Sequence, residues 1–141
     1  MHTNSPILAT AVALVAWTFV MWMWMYATRI PAILRAKMRM DPRVPRGEQM
    51  ATLPPEVRWK ADNYNHLMEM PTLFYAVVVV LALVGRDRGI DLGLAWTYVG
   101  LRVVHSLLQA LINKIELRFA LFLLSSLVLL AMTVRAGLAF V

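Results

Sequence analysis

Two sets of polar residues stand inside stretches that are otherwise apolar. Asp62, Asn65 and Glu69 are spaced i, i+3, i+7, and so are Arg102, His105 and Gln109. At that spacing each set occupies one face of a helix. Charged and amide side chains within an apolar span are costly unless they are paired or hydrated, which marks them as candidate site residues. Asn65, His66, His105, Gln109, Asn113 and Arg118 all fall toward one end of their stretches. Stapling two helices together does not need so many polar groups on one side. Together with Glu69 and Arg102 they are expected to wall a polar cavity that opens at that end, with Arg118 at its mouth. Such a cavity is cationic and rich in amide and imidazole donors, which suits a polar anion carrying carboxylates. At a rise of ~1.5 Å per residue, Glu69 and Arg102 lie roughly 13 and 16 Å from that end. They are level enough to pair, so an ion pair between them is expected. Pro71 deprives the Leu67 carbonyl of its helical partner and should kink the helix beside Glu69.

Other chemistries find no matching residues. The chain has no cysteine, which excludes disulfides, thiolate metal sites and a cysteine nucleophile. His66 and His105 fall on different helices and His2 is terminal, so no metal site is expected. No glycine-rich phosphate loop and no Ser/His/Asp arrangement stands out.

The elements that must position these residues follow from hydropathy. Of 141 residues, 60% are hydrophobic and 16% charged, and a soluble domain of this size lacks the interior to hide so much apolar surface. Stretches of about 20 apolar residues suffice to cross a bilayer. Four such spans are expected, at about 7–28, 61–84, 92–112 and 117–140, in a single membrane domain of the all-α class, with a polar loop at 29–60. Within that loop Pro31, Pro42, Pro45, Pro54 and Pro55 are expected to break the chain into turns and short helices. Met21-Trp22-Met23-Trp24-Met25-Tyr26 resembles an interfacial anchor. The segment Met1–Pro6 has no basic residue and the apolar run after it is long, so the first span is expected to stay in place.

The net charge of +6 does not point to nucleic acid, because no soluble basic domain exists to carry it. Its distribution sets orientation instead. Arg29, Arg35, Lys37, Arg39, Arg43, Arg46, Arg58 and Lys60 share one side with Lys114 and Arg118, while Arg86, Arg88 and Arg135 lie on the other. The positive-inside rule then puts the first and third loops in the cytoplasm and both termini on the far side. The expected location is a multi-pass membrane protein, with a bacterial inner membrane fitting the absence of a targeting signal.

The stretch Ala61-Asp62-Asn63-Tyr64-Asn65-His66-Leu67-Met68-Glu69-Met70-Pro71-Thr72-Leu73-Phe74-Tyr75 resembles the second helix of the MAPEG proteins, membrane-associated proteins in eicosanoid and glutathione metabolism. Arg102-Val103-Val104-His105-Ser106, with Asn113-Lys114 and Arg118-Phe119, resembles their third helix and the start of their fourth. The resemblance covers roughly residues 58 to 140. It implies a four-helix bundle that assembles as a homotrimer and binds glutathione between subunits near the cytoplasmic face. It also implies conjugation, isomerisation or peroxide reduction of a lipophilic small molecule that arrives from the lipid bilayer. Carried over by position, Glu69, His105 and Arg118 match glutathione contacts, Arg102 matches the buried arginine beside them, and Arg35 corresponds to a contact from a neighbouring subunit. Two departures stand out. Asn65-His66 replaces a frequent Arg-Asn, and Gln109 and Phe122 stand where tyrosines are common. The catalytic expectation therefore rests on Arg118, as a cation that stabilises the thiolate, with Arg35, Asn65, His66, Glu69, Arg102, His105, Gln109 and Asn113 as the binding set. The competing expectation is a non-catalytic homotrimer that binds another small anion or a lipid, or a structural subunit. A transporter fits poorly, since no inverted repeat or discontinuous helix is visible.

Overall fold

A computed structural model describes residues 4–141, so His2 lies outside the described residues. It is all-α. Helix α1 spans Leu8–Arg35, α2 Pro55–Leu67, α3 Met70–Leu83, α4 Gly89–Leu111 and α5 Ile115–Gly137. Single 3-10 turns cover Met50–Thr52 and Leu138–Phe140. Because α2 and α3 run as one interrupted rod, the bundle has four rods. Three of them, Leu8–Arg35, Pro55–Leu83 and Ile115–Phe140, are long and apolar enough to cross a membrane. The fourth, α4, has 23 residues, about 34 Å at ~1.5 Å per residue. It differs in carrying Asp91, Arg102, His105 and Gln109, all of which are buried.

The rods alternate in direction, as their end contacts show. At one end of the bundle the Lys60 ammonium, near the start of α2, donates to the Glu56 carbonyl at 2.9 Å and reaches the Ala110 carbonyl, near the end of α4, at 3.5 Å. It also lies 5.3 Å from the Trp24 ring centroid on α1. A cation at a helix C-terminus complements the helix dipole, and one over an indole face gains a cation–π contact. At the opposite end the Arg135 guanidinium of α5 grips Asp91 of α4 bidentately, at 2.5 and 3.1 Å. Arg86, in the turn before α4, lies 3.5 Å from the same carboxylate and donates to the Arg135 carbonyl at 2.9 Å.

Between these ends the core is apolar. Leu14 and Met21 of α1, Phe74, Val78 and Leu81 of α3, Tyr98 of α4 and Met132 of α5 are fully buried. Phe74 and Tyr98 stack with centroids 4.5 Å apart and planes 14° from parallel. The outer surface is apolar too, with Phe19, Leu34, Leu83, Leu123, Leu130 and Val134 exposed. A helix that is hydrophobic on every side has lipid, not water, as its outer neighbour.

Prolines behave differently along the chain. Pro31 was expected, with the other loop prolines, to break residues 29–60 into turns and short helices, yet α1 continues through it to Arg35. Its ring is compatible with helical φ, and only one intrahelical hydrogen bond is forfeited, so the helix runs on. Pro55 occupies the first turn of α2, where a missing N–H costs nothing. The kink expected at Pro71 is a full break: α2 ends at Leu67 and α3 resumes at Met70, with Glu69 at φ −92°, ψ −102°, so the second rod is discontinuous where no discontinuous helix was expected. The loop between α1 and α2 is tied by Gln49, which accepts from the Asp41 amide at 3.2 Å and donates to the Arg39 carbonyl at 3.0 Å.

Candidate functional site

The interruption of the second rod builds the site. A continuous helix would pair the His66 carbonyl with the amide of Met70. Here that carbonyl accepts the Glu69 amide at 3.3 Å, in a tighter turn, and the Arg102 Nη2 at 3.2 Å. A buried arginine thus satisfies the backbone that the break exposes. Arg102 is only 2% exposed.

The expected ion pair between Glu69 and Arg102 is absent, and the break explains why. Asp62, Asn65 and Glu69 share a face only on a helix unbroken as far as Glu69, and α2 ends at Leu67. The dihedral angles at Glu69 swing its side chain outward, where it is 63% exposed and accepts from His66 Nδ1 at 2.9 Å. Arg102 turns to the His66 main chain instead.

Around Arg102 the stripe on α4 is buried as a unit, with His105 2% and Gln109 3% exposed. Facing it, His66 of α2 lies with its ring centroid 5.1 Å from that of His105 and 5.4 Å from that of Phe122 on α5. Asn113 ends α4 in the left-handed region, at φ 54°. Its amide closes back on the Leu108 carbonyl at 2.7 Å, and its side-chain oxygen accepts from Arg118 Nη1. The turn therefore aims Arg118. His66, His105, Arg118, Ile115, Phe119 and Phe122 line a cleft of about 250 Å³ at this end of the bundle.

The polar groups behind the cleft are under-satisfied. Arg102 Nε and Nη1, both ring nitrogens of His105, Gln109 Oε1 and Arg118 Nε are buried without a hydrogen-bond partner within the chain. Buried donors and acceptors left in that state are costly, and their clustering calls for a polar ligand. The fixed positive charge of the cluster comes from two guanidinium groups, Arg102 and Arg118, while His66 and His105 add ring nitrogens that hydrogen-bond. Among the described residues no group of three or more histidine, cysteine or acidic side chains has metal-binding geometry.

Of the residues singled out from sequence, the bundle brings together His66, Arg102, His105, Gln109, Asn113 and Arg118. Glu69 joins them only through His66. Asn65 does not reach the cleft: it lines a separate hollow with Arg29, Arg46 and Arg58. Arg35 borders a third hollow, with Pro31, Pro54 and Val57. The polar residues missed from sequence include Asn63, fully buried with its amide nitrogen unpartnered, and Lys60. The signal for both was present, since they lie one turn apart on the inward face of α2.

No curated protein and no solved structure matches the chain. A comparison with known families matches the MAPEG family over residues 7–138. With the all-helical bundle and its membrane-spanning rods, that match settles the affiliation: this integral membrane protein belongs to the MAPEG family.

Proposed function

We propose that the protein binds glutathione in the cleft between α2, α4 and α5 and presents its thiol to a lipophilic acceptor from the bilayer. The observation that carries this reading is the cluster of unpartnered buried guanidinium, imidazole and amide groups at Arg102, His105, Gln109 and Arg118. A tripeptide with two carboxylates and two amides supplies acceptors and donors for such groups. The family affiliation supports the same ligand class. Arg118 is the candidate catalytic residue. A thiol titrates near 8.5 in water, and a guanidinium beside it stabilises the thiolate, the attacking form. His66 and His105 would orient the peptide, and Asn113 would hold Arg118 in place.

Within one chain the cleft is smaller than the ~300–1,000 Å³ of most small-molecule sites. We infer that a second copy walls its open side and that the assembly is a homotrimer, as the family resemblance implies. The side bearing the basic first loop would face the cytoplasm. A second reading is favoured by Phe122, whose ring stands against His66 and offers no hydroxyl to a thiol: the site would bind glutathione or a related anion without turnover.

Equilibrium dialysis of the detergent-solubilised protein against labelled glutathione tests the proposal. Saturable binding at or below millimolar concentration is expected, with a loss of about tenfold or more in Arg118→Gln, the equivalent of one charge-assisted hydrogen bond. Absence of binding at millimolar glutathione contradicts it.

A further inference from the structure

A second cationic hollow, of about 390 Å³, lies on the outer side of α2 and shares no residue with the cleft. Arginines from three separate segments line it: Arg29 from α1, Arg46 from the loop and Arg58 from α2. One carboxylate, Asp62, faces them, with the Asn65 amide beside it. The Nε atoms of Arg29 and Arg58 are buried without a hydrogen-bond partner. None of the three arginines is within salt-bridge distance of a carboxylate among the described residues. Isolated arginines at a membrane edge ordinarily extend into water one by one. Three that line one hollow, two of them with buried free donors, describe a site for an oxyanion.

Its depth narrows the class. Trp22 and Tyr26 are exposed on α1 and meet edge to face at 5.1 Å, and such rings favour the headgroup level of a bilayer. Arg29 follows Tyr26 by three residues, roughly 4.5 Å along the helix. The hollow therefore sits where lipid phosphates lie. Guanidinium forks match phosphate oxygens, while Asp62 and Asn65 suit the hydroxyls of a polyol headgroup.

We propose that Arg29, Arg46 and Arg58 form a phosphate-binding site that holds the phosphodiester of an anionic phospholipid such as phosphatidylglycerol. This stands independently of the glutathione reading, because the residues differ.

The test uses the full chain in phosphatidylcholine nanodiscs containing trace spin-labelled phosphatidylglycerol. The immobilised fraction of label reports binding, with spin-labelled phosphatidylcholine as the reference. A preference for phosphatidylglycerol on the order of tenfold is expected, lost in Arg29→Gln/Arg58→Gln and reduced in Arg46→Gln, an exposed loop position whose change leaves the helices intact. Arg118→Gln should keep the lipid preference while losing glutathione. If millimolar inorganic phosphate displaces the label, the phosphate site stands and its natural ligand is soluble. Equal immobilisation of both lipids, or an unchanged preference in the arginine variants, overturns the proposal. Displacement of the lipid by glutathione also overturns it, since the hollow would then belong to the glutathione site.

Discussion

Arg118 and Arg102 are neighbours in the site with different duties. Arg118 lines the cleft and is held by Asn113, whereas Arg102 is committed to the His66 carbonyl. Arg102→Ala should lower stability by about 1.5–3 kcal/mol, the range for a hydrogen bond involving a charged group, read from unfolding in mixed micelles. Swapping the charges of Glu69 and Arg102 should give no rescue: the double variant should be as unstable as the two single changes summed, within ~0.5 kcal/mol. A clear rescue would restore the ion pair that the structure lacks. At Asn113 the positive φ tolerates asparagine and glycine but not a β-branched residue. Asn113→Val should therefore cost about 1–2 kcal/mol and weaken glutathione binding by releasing Arg118, while Asn113→Gly should spare the fold and lose only the hold on Arg118.

At the scale of elements, the break at Met68–Glu69 organises the cleft, by freeing the His66 carbonyl that Arg102 meets. Pro71 was legible as a kink because its missing N–H is a local property. The consequence was not legible, because the identity of the group that repairs the freed backbone depends on which helix packs alongside. The same limit explains the missed clamp at the far end. Asp91 and Arg135 are 44 residues apart, and only the antiparallel packing of α4 and α5 joins them. Their presence in apolar helices was nonetheless a signal by the same rule that selected Glu69 and Arg102. Asp91→Ala leaves two arginines unpaired at the bundle edge. Side-chain exposures of 34% for Arg86 and 30% for Arg135 keep both cations partly hydrated, so the loss is smaller than for a fully buried pair. Unfolding in micelles measures it, and ligand binding at the opposite end should be unaffected.

For the whole molecule, the all-helical membrane bundle was readable from hydropathy and from the polar stripes together. The stripe on α4 was read as one face and is buried as one face, because α4 is unbroken there. Residues of α2 were harder to place: Asn65 and His66, adjacent in sequence, serve different hollows since successive residues on a helix point about 100° apart. If a second chain completes the cleft, native mass spectrometry of the purified protein should show three chains, and glutathione should raise the fraction that stays assembled. Arg118 and the buried polar groups beside it are expected to bind glutathione and hold its thiol ionised. The most direct measurement is the ultraviolet difference absorbance of thiolate when glutathione is added to the detergent-solubilised protein at neutral pH, with S-methylglutathione as the control. A saturable thiolate signal that S-methylglutathione does not produce and that Arg118→Gln lacks is the predicted result. Glutathione binding with no thiolate signal, or an equal signal from the Arg118→Gln protein, would contradict it.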